Sequence, residues 1–158
     1  MKTSKPVLLA VGVISLALVG FALYLQHVKG QMPCPLCVIQ RYVFVSLALV
    51  CFIFAAAPRG ATRSGAILGS LTALGGAGVA GWHVWVKAHP TVSCGIDPLE
   101  TALNRYPTAE LLPFVFKADG LCSAEYPPIL GLSNPQWSLI WFSAFAIVLI
   151  WAALRRSR

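Results

Sequence analysis

Four long apolar runs dominate the chain, at about 6–26, 35–57, 65–86 and 136–154. Each is close to the roughly 20 residues a helix needs to cross a bilayer. Helices are required there because lipid offers no hydrogen-bond partner to an unpaired backbone. The pattern predicts an all-α membrane protein, a four-transmembrane-helix bundle forming one domain over residues 1–158. The first run could instead be a cleaved signal peptide, with Gly20 and Ala22 as small residues before a cut. Its apolar stretch is longer than the roughly 7–15 residues of a signal core, so it reads as a span.

The longest polar interruption, at about 87–135, is an outer loop expected to contain short helices. Asp97-Pro98-Leu99-Glu100 reads as a helix start, with Asp97 as the N-cap, Pro98 first in the helix and Glu100 the reciprocal partner. That helix should stop before Pro107. Leu111 to Phe116 is apolar but too short to span, so it lies along the membrane surface or packs as loop core. In the third span, Gly65, Gly69, Ala73, Ala77 and Gly81 recur every four residues, a stripe that lets a neighbouring helix approach closely.

Composition strengthens the membrane reading. Charged residues make up 11% of the 158, and mean hydropathy is +0.75. Soluble domains carry about a quarter charged residues. The net charge of +7 does not imply nucleic acid, because the basic residues sit in small groups between apolar runs and form no continuous face. Their distribution sets orientation instead. With both termini cytoplasmic, the inner side holds seven basic residues (Lys2, Lys5, Arg59, Arg63, Arg155, Arg156 and Arg158) and no acid. The outer side holds Lys29, Arg41, Lys87, Arg105 and Lys117 together with all five acids. This is the positive-inside bias. Trp82, Trp85, Trp137 and Trp141 fall near the outer interface and Trp151 near the inner one.

Chemistry concentrates in the cysteines. Four of the five lie outside the uninterrupted apolar stretches, the second of which is clean only from Tyr42 to Ala57, and this suits an oxidising compartment, while Cys51 lies deep in that stretch and reads as a small inert core residue. Cys34 and Cys37 form a C-x-x-C at the outer mouth of the second span. A helix N-terminus favours thiolate over thiol, and thiolate is the attacking species in disulfide exchange. Arg41 follows Cys37 by four residues, one turn deeper on the same stripe. It either stabilises a thiolate and a bound acceptor or snorkels to lipid phosphates. Cys94 and Cys122 form a second outer pair, either a structural staple or a shuttle that meets a partner and exchanges with Cys34 and Cys37. His83, near the outer end of the third span, is an interfacial anchor or a contact of the acceptor. His27 and His89 read as interface caps. No metal site is expected: a four-cysteine zinc site normally needs two close pairs, and only one is present.

At this point the chain resembles the bacterial disulfide bond formation protein B (DsbB) family over nearly its whole length. The matching segments are Gln26-His27-Val28, Pro33 through Arg41, His83-Val84-Trp85, Cys94, Leu112-Pro113, Gly120-Leu121-Cys122 and Gly131 through Trp137. Departures are small: Leu121 where many relatives have an acid, and Tyr126 where many have tryptophan.

The resemblance implies a quinone-dependent, disulfide-forming oxidoreductase of the bacterial inner membrane, multi-pass, with periplasmic redox loops. Cys94 and Cys122 would take electrons from a DsbA-like periplasmic thiol oxidase, one of them through a mixed disulfide. Cys34 would exchange with that pair. Cys37 would face ubiquinone or menaquinone as an adduct or charge-transfer state, with Arg41 polarising the ring oxygen. The implied partners are that oxidase, the quinone and the lipid bilayer, with no nucleic acid. Two rivals stay open, a vitamin K epoxide reductase-like enzyme and a non-catalytic tetraspan protein with a stapled loop. In the first, the quinone-side pair sits late in the chain, whereas here it opens the second span.

Overall fold

Proline, glycine and polar caps set the helix limits. In a computed structural model, residues 4–89, 91, 96–122 and 124–155 are described, apart from the side chains of Ser4, Arg59, Ile96 and Asp97. Helix α1 spans Ser4–Lys29 and stops at Gly30, whose φ of +68° an L side chain rarely adopts. Helix α2, Pro35–Ala56, starts on Cys34 and ends two residues before Pro58, where Lys5 Nζ donates to the Ala57 carbonyl at 2.9 Å. A short 3-10 turn, Arg59–Ala61, leads into α3, Thr62–Ala88. Helix α7, Asn134–Leu154, opens on a cap in which Gln136 Oε1 accepts from the Ser133 backbone N–H at 2.8 Å. These four helices are long and apolar enough to cross a membrane, and no strand occurs among the described residues. The chain is an all-α, four-helix membrane protein.

Helix α3 packs chiefly on α7, and α2 lies between α1 and α3, while α1 and α7 touch only lightly. Leu8, Leu47, Cys51, Phe142 and Leu149 are wholly buried at the centre. Phe44 and Phe142 stack with ring centroids 4.0 Å apart. Close packing there depends on Gly76, because an added Cβ would lie 2.5 Å from the Phe142 ring.

The buried line along α3 departs from the four-residue stripe. A helix turns 100° per residue, so a four-residue step overshoots by about 40° each time. Gly65, Gly69 and Ala73 are buried, but the line then runs through Gly76, Ala80, His83 and Val86. Gly81 has rotated off it and has nothing within 4 Å of an added Cβ. Following the true helical period carries His83 into the interior.

Among its described residues the loop forms three short helices, α4 (Ile96–Asn104), α5 (Pro107–Leu111) and α6 (Pro113–Phe116). Helix α4 begins at Ile96, so Asp97 lies in its first turn and is not the cap before it. In the 111–116 segment one face packs as loop core and the other is left open. Val115 and Phe116 are buried with Val38, Leu103, Ala109 and Ala118, whereas Leu111, Leu112 and Phe114 point outward. Asn104 ties this layer together through both amide atoms, donating to the Ala118 carbonyl and accepting from its N–H, each at 2.9 Å.

Candidate redox site

Two prolines bracket the first cysteine and fix its backbone. Cys34 is extended (φ −78°, ψ 165°) as the N-cap of α2, with Pro35 in the first turn. One helical turn brings the second thiol back beside it. The two Sγ atoms are 3.0 Å apart with Cys34 as donor, and the Cys37 backbone N–H donates to Cys34 Sγ at 3.4 Å. Both are free thiols. Cys34 is almost wholly buried, whereas Cys37 is half-buried. Its hydrogen bond to Cys37, followed by burial, raises the Cys34 thiol pKa well above the ordinary cysteine range. Cys34 is therefore the protonated donor of the pair.

His83, buried on α3, reaches the same sulfur. Its Nε2 is 3.6 Å from Cys34 Sγ, and its Nδ1 is 3.2 Å from Gln40 Nε2. With the amide placed as donor, the contacts run in one direction: Gln40 to His83, His83 to Cys34, Cys34 to Cys37.

Arg41 lies one turn below Cys37 and is 6% exposed. Its Nη1 donates to Gln26 Oε1 of α1 and to the Val115 carbonyl of α6, both at 2.7 Å. The guanidinium thus faces inward, with part of its donor set engaged, and does not snorkel to the surface. A carbonyl from the loop and an amide from α1 hold the charge where the apolar runs alone would have excluded it.

Cys122 is disulfide-bonded, buried, and in the same apolar cluster as Cys34, Leu36 and Val86. Cys94 lies outside the described residues. The loop is latched to the C-x-x-C turn through one carbonyl: Pro33 O accepts from Asp119 N–H at 3.1 Å and from Gly120 N–H at 3.0 Å. Gly120 is obligatory at this approach, since an added Cβ would lie 2.5 Å from the Met32 carbonyl oxygen. Tyr126 adds a bond from its hydroxyl to Met32 O at 3.3 Å.

These groups meet at a cavity of about 270 Å³. Leu18, Val19, Phe21, Phe44 and Trp141 supply apolar wall, and Cys34, Cys37, Arg41, His83 and Cys122 line the same space. Apolar walls with a few convergent polar groups are the usual make-up of a small-molecule site. Cys51 is fully buried in the helix core, and the cavity lining does not include it.

Of the residues singled out from the sequence, Cys34, Cys37, Arg41, His83 and Cys122 converge here. Gln26, Gln40 and the Val115 carbonyl were not singled out. The two glutamines did carry a signal, as uncharged polar residues inside apolar runs, where an amide needs a partner. The carbonyl carried none, because its role depends on how the loop folds back.

This end of the bundle is equipped for sulfur exchange, and the class of protein is a four-helix membrane thiol oxidoreductase. The family model described as disulfide bond formation protein DsbB matches residues 4–152. The chain is 60% identical to disulfide bond formation protein B of Herminiimonas arsenicoxydans, covering 99% of each chain. It is 51% identical to that of Ralstonia nicotianae, over 98% of this chain and 97% of the relative. Identity to disulfide bond formation protein B 1 of Pseudomonas fluorescens strain Pf0-1 is 47%, over 96% and 88%. The chain belongs to the DsbB family of disulfide bond formation proteins.

Proposed function

We propose that this protein, acting as one membrane domain over its whole length, reoxidises a DsbA-like periplasmic dithiol oxidase and delivers the electrons to a membrane quinone. The carrying observation is that disulfide-bonded Cys122 is buried in one cluster with Cys34, and both line a cavity together with Cys37, Arg41 and His83. On this reading the cysteine end faces the periplasm, both termini are cytoplasmic, and the membrane is the bacterial inner membrane.

Cys94 and Cys122 form the outer couple. A partner thiolate attacks it, giving a mixed disulfide and one free loop thiolate. The partner's second thiol then displaces the loop, so the partner leaves oxidised and the loop holds two thiols. A loop thiolate next attacks Cys34 of the oxidised inner pair and releases Cys37 as thiolate. The second loop thiolate restores the outer disulfide and leaves Cys34 protonated beside Cys37. Each transfer moves two electrons and conserves sulfur–sulfur bonds.

The cavity fits a quinone head group: apolar wall surrounds it, and Arg41 and His83 bring polar atoms to the Cys37 side. A bound quinone supplies a two-electron, two-proton acceptor, which leaves as quinol. Cys37 presents its sulfur to the cavity, Arg41 brings positive charge to the same space, and His83 holds Cys34. Reclosing the inner pair requires the sulfurs to approach from 3.0 Å by only about 1 Å.

The test mixes purified protein with ubiquinone or menaquinone and a reduced thiol oxidase while following quinone absorbance. One quinone lost per partner disulfide formed is expected. Outer cysteines that stay oxidised while no quinone is consumed would instead identify a stapled, non-catalytic bundle.

A further inference from the structure

We propose that the reduced Cys34–Cys37 pair and His83 form a three-ligand site for a soft divalent cation, zinc above all, open only while the inner disulfide is reduced. A four-cysteine site was set aside for want of a second close pair, but His83, remote from the C-x-x-C in the chain, is brought to the sulfurs by the helical period of α3. Cys34 Sγ, Cys37 Sγ and a His83 ring nitrogen lie within 4.8 Å of one another.

Tetrahedral zinc, with Zn–S of about 2.3 Å and Zn–N of about 2.0–2.1 Å, places an S···N pair about 3.5 Å apart and an S···S pair about 3.8 Å apart. The observed Cys34 Sγ to His83 Nε2 distance of 3.6 Å already matches. The sulfurs, at 3.0 Å, must separate by somewhat less than 1 Å. Two thiolates cancel the dication, so the filled site adds no net charge to a buried position. The fourth position is left to the cavity that all three ligands line.

Ligation by Nε2 requires the proton on Nδ1, and hence an acceptor there. Gln40 provides one when its amide is turned to present Oε1, making it the positioning residue for the ligand. Binding exchanges two thiol protons for one cation and moves no electrons. Forming the inner disulfide removes two of the three ligands. Zinc therefore captures the reduced enzyme and blocks its reoxidation, a consequence that rests on the proposed relay, whereas the binding itself does not.

The experiment titrates the detergent-solubilised full chain, reduced with a phosphine and desalted anaerobically, with Co²⁺ and then Zn²⁺. One Co²⁺ per chain should give a thiolate-to-cobalt charge-transfer band that Zn²⁺ bleaches. The band should be absent from the oxidised protein and from Cys37→Ser, and present in Cys51→Ser and Cys122→Ser. His83→Ala should weaken binding at least about 10-fold, and Gln40→Glu, which fixes the Nδ1–H tautomer, should tighten it on the order of 10-fold. A band that survives oxidation or Cys37→Ser, or affinity indifferent to both His83→Ala and Gln40→Glu, overturns the site. Cobalt binding is read without turnover, so turnover without binding refutes the metal site alone. Binding without turnover refutes the relay alone.

Discussion

Gly120→Ala isolates the contact between the outer loop and the C-x-x-C turn. The added methyl would lie 2.5 Å from Met32 O, 2.9 Å from Met32 C and 3.1 Å from Pro33 C, all backbone atoms that no rotamer change can move. A carbon–oxygen contact needs about 3.3 Å, so the 119–120 segment must retreat by roughly 0.8 Å. The two bonds to Pro33 O, now 3.1 and 3.0 Å, would stretch to about 3.8 Å, past hydrogen-bonding range. Losing both costs about 1–3 kcal/mol. The larger effect is on geometry, because a misplacement of about 1 Å between reacting groups lowers a rate on the order of 100-fold. Partner-driven quinone reduction should therefore fall about 10–100-fold, while quinone reduction driven by dithiothreitol, a small thiol that needs only the half-buried Cys37 side of the inner pair, should stay near wild type. Folding is checked by the thermal midpoint and the loop disulfide by thiol counting. A folded variant with its loop disulfide intact and an undiminished partner-driven rate would show that the latch does not set the exchange geometry.

Arg41→Gln removes the charge from the cavity. It should raise the apparent quinone KM by about 10-fold or more, the weight of one charge-assisted hydrogen bond, with little change in exchange between partner and loop; an unchanged quinone dependence would count against its placement. Because Cys34 holds its proton through its bond to Cys37 and through burial, iodoacetamide at pH 7 should label Cys37 first in the reduced protein. Cys34 should react only at higher pH or after denaturation, and mass spectrometry of a time course reads the order. Cys94→Ala should abolish partner oxidation and leave quinone binding intact, measured by turnover against equilibrium quinone titration. Cys51→Ala should leave turnover unaltered and lower stability by about 1 kcal/mol, since it removes one small buried group.

What the sequence disclosed and what it withheld divide along a physical line. Hydropathy runs depend only on composition over about 20 residues, so the four helices and the C-x-x-C at a helix mouth were legible without coordinates. The path of α3 required its rotation: reading Gly65 to Gly81 as one stripe assumed a four-residue period, and the accumulated 40° per step placed Gly81 where His83 in fact points inward. The setting of Arg41 required tertiary folding of the loop, because one of its acceptors, the Val115 carbonyl, belongs to a backbone atom that any residue would supply. Side-chain chemistry is therefore predictable from residue type, whereas backbone acceptors such as Val115 O and Pro33 O emerge only when the chain closes on itself. The same distinction applies to Leu121 and Tyr126, where the family resemblance leads to an expected acid and tryptophan. Leu121 is exposed, and Tyr126 binds Met32 O through a hydroxyl, a role the indole N–H of tryptophan can also fill as a donor. Gly120 has no such freedom: its constraint is the space beside a backbone carbonyl, and only the absence of a side chain satisfies it.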